Sequence, residues 1–115
     1  MTVEDGTERG SASAIEPILD SERVDRAPRQ VVEKKPAYPL PARRTGREGS
    51  VLVEFVIDEN GRVRDPVVLR VTGYPGFGPA VLEASRGWIF TPARHRDRTV
   101  AVRARKKVLF RIESG

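Results

Sequence analysis

The most regular stretch of the sequence is Val51-Leu-Val-Glu-Phe-Val-Ile57, followed by Asp58-Glu-Asn-Gly61. Every second residue of the first segment is apolar and points to one face, a period typical of a β-strand with one buried side. The second segment is a turn signal, because Asp and Asn side chains bond to turn backbone and Gly61 tolerates a positive φ. We therefore predict a hairpin in which strand 51–57 returns as a strand over 63–72.

A second alternation runs from Val100 to Ile112. Its even positions are apolar except for Lys106, and its odd positions include Arg103, Arg105, Lys107 and Arg111. This pattern predicts one long strand with an apolar face and a strongly basic face.

A helix is predicted between these strands. Gly78-Pro79 is a start signal, with glycine as N-cap and proline at the first helical position, and Thr91-Pro92 ends any helix. Val81, Ala84 and Trp88 fall at helical spacing and extend back to Phe77. We interpret Trp88 as a core residue, since such a stripe usually reports burial.

The segment before the hairpin is rich in proline. Pro36, Pro39 and Pro41 enforce an extended or turn conformation. Residues 42–45 are predicted to form one helical turn capped by Gly46, and residues 30–35 a short edge strand.

Residues 1–30 are predicted to be a flexible linker, and residues 31–115 the folded domain. The predicted fold is α+β with two layers, a small antiparallel sheet of three to four strands packed against two helices.

Composition excludes several classes of protein. No stretch of the 115 residues approaches the roughly 18 apolar residues of a spanning helix, and no signal peptide is visible. The absence of cysteine excludes disulfides, thiolate metal sites and a cysteine nucleophile. Residues 1–35 hold 6 Lys and Arg against 8 Asp and Glu, and residues 36–115 hold 15 against 8, so the basic character belongs to the predicted domain.

Catalytic and metal-binding patterns are scarce. His95 is the only histidine, and we interpret it as a solvated loop residue. Asp58, Glu59 and Asp65 bracket a turn without a calcium-loop pattern, and the glycines at 73, 76 and 78 lack a phosphate-loop signature. We therefore predict no enzyme activity, no catalytic residue, no metal and no cofactor.

The basic face of the last strand is the strongest functional signal of the composition. It is either a solvated sheet face or a surface that meets an acidic partner. Nucleic acid is disfavoured, because neither interleaved exposed aromatics nor a recognition helix is visible.

Four pieces of the sequence together resemble one family, the TonB C-terminal domains. They are Pro36-x-Tyr38-Pro39-x-x-Ala42-Arg-Arg-x-Gly46-x-Glu48-Gly49-x-Val51, Phe55-Val-Ile-Asp58-Glu-Asn-Gly61-Arg-Val63, Phe77-x-x-Ala80-x-Leu82-Glu83-Ala84-x-Arg86-x-Trp88-x-Phe90-x-Pro92-Ala93 and Val108-x-Phe110-x-Ile112. They occur in family-like order over about 77 residues of the sequence. Gly78 and Gly87 depart from the family pattern, in positions that bear on stability.

The resemblance implies a periplasmic module of an energy transducer. Such a module binds the TonB box of an outer-membrane TonB-dependent receptor as an added strand, in proton-motive-force-driven uptake of siderophores or other nutrients. The implied contact residues are Val100, Val102, Arg103, Arg105, Lys107, Leu109 and Arg111 in the last strand, and Lys35, Pro36, Tyr38 and Pro39 before the first helix.

The resemblance also implies further partners. Family members are tethered to the inner membrane and driven by ExbB–ExbD through an N-terminal anchor, which is absent from these 115 residues. The alternative hypothesis is an envelope-associated domain that binds peptidoglycan or an anionic surface through the arginine face, without energy transduction. A homodimer formed by strand exchange stays open, because residues 31–33 and the last strand are both available.

Overall fold

The computed structural model describes residues 19–112, apart from the side chain of Glu22. The strands are β1 (Leu19–Asp20), β2 (Gln30–Val32), β3 (Gly49–Ile57), β4 (Val63–Thr72), β5 (Ile89–Phe90), β6 (Ala93–His95), β7 (Arg98–Val100) and β8 (Val102–Phe110). The helices are a 3-10 turn at Ser21–Arg23, α1 (Leu40–Arg44) and α2 (Phe77–Ser85).

The main sheet has four strands in the order β1-β8-β3-β4. β3 pairs antiparallel with β4 on one side and with β8 on the other, from Gly49 opposite Phe110 to Ile57 opposite Val102. β1 adds only two parallel pairs, Leu19 with Val102 and Asp20 with Arg103. Two helices accompany this sheet, which confirms the predicted α+β class.

The β3–β4 hairpin forms as predicted. Asp58 organises the turn, because its Oδ1 accepts hydrogen bonds of 2.9 Å from the backbone N–H groups of Asn60 and Arg62. Gly61 has a φ of +83°, and a Cβ there would lie 1.9 Å from the carbonyl oxygen of Phe90. Only glycine therefore allows this turn to approach β5 so closely.

The core lies on one face of the sheet. The alternating residues of β3 are buried there against Phe77, Val81, Ala84 and Trp88 of the helical region. The predicted stripe is confirmed, with Trp88 only 1% exposed. The predicted start of the helix is wrong: α2 begins at Phe77 after Gly76, because Phe77 and Gly78 donate backbone hydrogen bonds to Tyr74 and Pro75. Pro79 then lies in the first turn, where its missing N–H costs nothing.

The predicted single strand 100–112 is divided. Residue 101 separates β7 from β8, because β7 turns back on β6 as a separate hairpin, with Val100 opposite Ala93. The interpretation of His95 as a solvated loop residue is also wrong: it lies in β6, and its Nδ1 is buried 3.5 Å from Asp25.

The N-terminal segment contributes strands to two of the three sheets of the described chain. Residues 1–18 of the predicted linker lie outside the described part of the chain, whereas residues 19–30 contain β1 and the 3-10 turn. β2 pairs with β5, in the region predicted to be a short edge strand. Within residues 19–112, no helix has the length and apolar character needed to cross a membrane.

Candidate functional site

β8 has one open edge. β3 covers its other side over the whole strand, but β1 covers the open side only at Val102 and Arg103. From Ala104 to Phe110, seven residues long, no strand of the described chain pairs with this edge. An uncovered edge is a template for an additional strand.

The pairing fixes which backbone groups point outward. The N–H of Leu19 donates to the carbonyl of Ala101 on the β1 side of the strand. Because neighbouring residues alternate, Arg105, Lys107 and Leu109 direct their N–H and C=O groups to the open edge. The even residues between them bond to β3. The edge thus offers three donors and three acceptors.

A groove of about 700 Å³ runs along this edge. It is lined by Glu33, Lys35, Pro36, Tyr38, Arg43, Lys106, Lys107, Val108, Leu109, Phe110, Arg111 and Ile112. Seven consecutive residues of the last strand and its exit, odd and even alike, belong to the lining. The groove therefore follows the strand edge and not one face of the sheet.

The other wall of the groove is the segment 33–38, and two aromatic side chains hold it. The indole Nε1 of Trp88 donates a 2.8 Å hydrogen bond to the carbonyl oxygen of Lys34. The hydroxyl of Tyr38 donates to the carbonyl oxygen of Arg47. Both ends of the wall are thus tied to the domain.

An aromatic cluster lies beneath the groove. The rings of Phe77 and Phe110 stack with centroids 4.1 Å apart. The ring of Tyr38 meets both edge-on, at 5.6 Å from Phe77 and 5.5 Å from Phe110. Such contacts restrain the rings, so the groove has a preformed apolar floor.

The groove is positively charged. Its lining contains five cations and one carboxylate, Glu33. Lys106 lies 3.4 Å from Glu33 and 5.6 Å from the centre of the Trp88 ring, which explains why a lysine interrupts the apolar face of β8. The remaining cations are Lys35, Arg43, Lys107 and Arg111. Such a site attracts an acidic ligand.

The arginine face of β8 is partly neutralised. Glu54 on β3 lies 3.0 Å from Arg105 and 3.9 Å from Arg103. These two arginines are therefore less available to an external anion than the sequence suggests.

The pKa of the Tyr38 phenol is raised. Its desolvation raises the pKa of the phenol above the ordinary 10.0, the carboxylate of Glu48 raises it further, and Arg43 opposes the shift. The hydroxyl therefore stays protonated as a donor at neutral pH.

A smaller cleft of about 280 Å³ continues along the strand towards β1. Its apolar lining includes Phe55, Phe90 and Ala104, and it also contains Arg105 and Lys106. It places an apolar recess beside the end of the open edge that begins at Ala104.

The structure brings together six of the predicted contact residues. Lys35, Pro36, Tyr38, Lys107, Leu109 and Arg111 all line the groove. Arg105 lines the adjoining cleft.

The other predicted contact residues lie elsewhere. Pro39 precedes α1 as its N-cap, and Val100 belongs to β7. Val102 is buried opposite Leu19, and Arg103 lies opposite Asp20, so β1 covers this end of the edge.

Sequence reasoning missed Glu33 and Arg43, together with four even residues of the predicted strand, Lys106, Val108, Phe110 and Ile112. These four residues were assigned only to the mainly apolar face of the strand, although an edge groove exposes both faces of its strand. Glu33 and Arg43 reach the groove through long-range packing, for which the sequence carries no local signal.

Comparison with known proteins agrees with this architecture. The sequence profile of the family described as Gram-negative bacterial TonB protein C-terminal matches residues 34–112. The solution NMR structure of the Pseudomonas aeruginosa TonB C-terminal domain is similar, with a TM-score of 0.65 and 33% sequence identity. That similarity covers 76% of this chain and 89% of the other.

Three curated proteins, each named Protein TonB, are similar in sequence. The chain is 36% identical to the Yersinia enterocolitica protein over 75 residues, which is 65% of this chain and 29% of that protein. It is 37% identical to the Pseudomonas aeruginosa protein over 78 residues, 68% and 23% of the two lengths. For the Vibrio cholerae protein the values are 31% over 98 residues, 85% and 38%. The chain thus spans well under half the length of these relatives. Because the family profile matches residues 34–112, the chain belongs to the family of TonB C-terminal domains.

Proposed function

We propose that this chain is the receptor-binding module of a TonB-type energy transducer, and that it binds an extended peptide as an added strand on β8. The observation that carries the proposal is the open edge from Ala104 to Phe110, faced by the wall 33–38 across a charged groove. Strand addition uses backbone hydrogen bonds for affinity and alternate side-chain contacts for selectivity.

The free edge sets the length of the bound strand. β1 ends the site at Arg103, and β8 itself ends at Phe110. Arg105, Lys107 and Leu109 provide the six backbone groups that the peptide must match. A segment of about seven residues is therefore the natural ligand.

Side chains of the added strand alternate between two environments. Those on the core side meet the apolar parts of the groove and cleft, Phe110 at one end and Phe55 with Phe90 at the other. Those on the opposite side pass Lys107 and Leu109, of which Leu109 is 52% exposed. Apolar residues at alternate positions with acidic neighbours suit this pattern.

The partner proposed from family membership is the TonB box of an outer-membrane TonB-dependent receptor, in uptake of siderophores or other nutrients. The whole protein would then be periplasmic, anchored in the inner membrane and coupled to ExbB–ExbD. These assignments rest on the family match and on relatives that extend far beyond the aligned region.

The alternative, binding of peptidoglycan or another anionic surface through the arginine face, has weaker support. Glu54 already pairs with Arg103 and Arg105 on that face. A homodimer would use the same open edge, because a second copy of β8 is itself a strand. Dimerisation and peptide binding would therefore compete.

A peptide titration followed by NMR tests the proposal. The full chain, labelled with ¹⁵N, is titrated with a synthetic peptide carrying the TonB box of a receptor from the same bacterium. A scrambled peptide of equal composition is the control. We expect saturable amide shifts over residues 104–110 and 33–38 with the first peptide alone. Shifts confined to other residues, or equal shifts with the scrambled peptide, would contradict strand addition.

A further inference from the structure

Three arginines surround a second cleft, distinct from the groove. It has a volume of about 420 Å³ and is lined by Arg26, Ala27, Arg29, Thr91, Pro92 and Arg94. It shares no lining residue with the groove along β8. Arg26 and Arg29 precede the residues that match the family profile.

The backbone holds these arginines in place. Arg26 and Arg94 exchange two hydrogen bonds, of 2.9 Å and 3.0 Å, between their N–H and C=O groups. The backbone N–H of Arg29 donates a 2.9 Å hydrogen bond to the hydroxyl of Thr91. The backbone N–H of Thr91 donates a 2.8 Å hydrogen bond to the carbonyl of Arg29. Four hydrogen bonds thus fix the spacing of the three backbone positions that carry these exposed side chains.

This arrangement places like charges together. Arg26 and Arg94 form a directly opposed antiparallel pair, and like charges in such pairs are destabilising. The lining contains no carboxylate. Asp25, the nearest acid in sequence, is engaged with His95 at 3.5 Å and with the backbone N–H of Arg96 at 2.7 Å.

Within residues 19–112, the guanidinium groups of these three arginines make one hydrogen bond. Arg94 donates from Nη2 to the backbone carbonyl of Asp97 at 3.0 Å. In the described part of the chain, no carboxylate lies within 4.0 Å of the guanidinium of Arg26 or Arg29. An anion that lies between neighbouring cations reduces their repulsion, so this cluster favours the binding of an anion.

We propose that the cleft of Arg26, Arg29 and Arg94 binds a phosphate group. A guanidinium offers paired donors that match phosphate oxygens, and three of them satisfy the three terminal oxygens and double charge of a phosphate monoester. A carboxylate has one charge and two oxygens, so it leaves one arginine unmatched. The phosphate is either free or the terminal monoester of a lipid headgroup, since both present three terminal oxygens to the cleft.

Binding to the full chain tests the proposal in two arms. Inorganic pyrophosphate is titrated by calorimetry, with citrate as the carboxylate control. Vesicles containing phosphatidic acid, whose headgroup is a phosphate monoester, are compared by sedimentation with vesicles of phosphatidylglycerol, an anionic phosphate diester. We expect binding in at least one phosphate arm, and the arm that responds identifies the source. Failure in both arms, or citrate binding as tight as pyrophosphate, would overturn the proposal.

Matched variants locate the site. Arg26→Gln and Arg29→Gln are expected to weaken binding by about ten-fold or more each, from loss of a charge-assisted hydrogen bond. Arg70→Gln removes the same charge from an exposed position on β4, so we expect it to have little effect on binding. Equal weakening by all three variants would show a diffuse electrostatic field and refute the site.

Stability separates a binding role from a structural one. Without ligand, Arg26→Gln removes repulsion from Arg94 and keeps the backbone pairing, so its thermal midpoint should equal or exceed that of the parent chain. A lowered midpoint would mean that Arg26 serves the fold, contrary to the proposal.

Discussion

The indole nitrogen of Trp88 lies 2.8 Å from the carbonyl oxygen of Lys34, which accepts its hydrogen bond across 54 residues of sequence. Trp88 has the largest fully buried side chain of the core, and Lys34 lies between Glu33 and Lys35, which line the groove. This bond therefore connects the packing of the domain to the shape of its binding site.

The first prediction concerns this bond. Trp88→Phe keeps an aromatic ring in the core but removes the donor to Lys34 and most of the surface under Lys106. We expect the free energy of unfolding to fall by about 2–3 kcal/mol. Because the wall loses its tether, TonB-box peptide affinity should also fall. Urea denaturation and calorimetry measure the two effects.

Val81→Ala is the matched control. Val81 is fully buried on α2 but does not line the groove. We expect a loss of about 2 kcal/mol in stability with unchanged peptide affinity while the domain stays folded. If both variants lower affinity alike, the tether has no special role.

The second prediction uses proline to delete one outward donor. Lys107 directs its N–H to the open edge, so Lys107→Pro removes no bond to β3, and proline is tolerated on that side of an edge strand. We expect the variant to fold and to lose most of its peptide affinity in calorimetry.

The matched control is Lys106→Pro, for which we expect a loss of stability. Lys106 directs its N–H towards Val53 of β3, so Lys106→Pro breaks a ladder bond and should destabilise the sheet by about 3 kcal/mol or more. Equal stability of the two variants would show that the assigned alternation of β8 is incorrect.

The third prediction concerns pH. Desolvation raises the pKa of Tyr38 above 10.0, so the unfolded chain loses this proton first as pH rises. The stabilising contribution is therefore fully present below pH 10.0 and is lost as pH rises through the folded pKa. Denaturant unfolding is measured below and above pH 10.0. The free energy of unfolding should fall more steeply with rising pH in the parent chain than in Tyr38→Phe. Parallel curves would contradict the assignment.

The fourth prediction compares two glycines with positive φ. Gly61 has a φ of +83° and a Cβ position 1.9 Å from the Phe90 carbonyl, whereas Gly46 has a φ of +70° and open space. Gly46→Ala should cost only the left-handed backbone strain, about 1–2 kcal/mol. Gly61→Ala adds a clash with β5 and should cost clearly more, as thermal unfolding will measure. A smaller loss for Gly61→Ala would argue against the close approach.

Local patterns were sufficient to predict the hairpin and the core. The alternation from Val51 and the turn at Gly61 are encoded within a few residues, as is the buried stripe ending at Trp88. The start of α2 was misplaced because Gly78-Pro79 resembles a cap, whereas the turn at Tyr74 begins the helix earlier.

The groove depended on contacts that no local pattern contains. Lys106 interrupts an apolar face for reasons that lie in Trp88 and Glu33, both distant in sequence. The break at residue 101 follows from the β6–β7 hairpin, since the alternation of the sequence continues through it. The reach of β1, which shortens the open edge, likewise depends on long-range pairing.

Amide hydrogen exchange of β8, measured with and without a saturating TonB-box peptide, tests strand addition most directly. In the free chain, Lys106 and Val108 should exchange slowly because they bond to β3, whereas Arg105, Lys107 and Leu109 should exchange rapidly. Binding should protect those three odd residues and leave the even residues unchanged. Continued rapid exchange of Lys107 and Leu109 in the saturated complex would contradict the account.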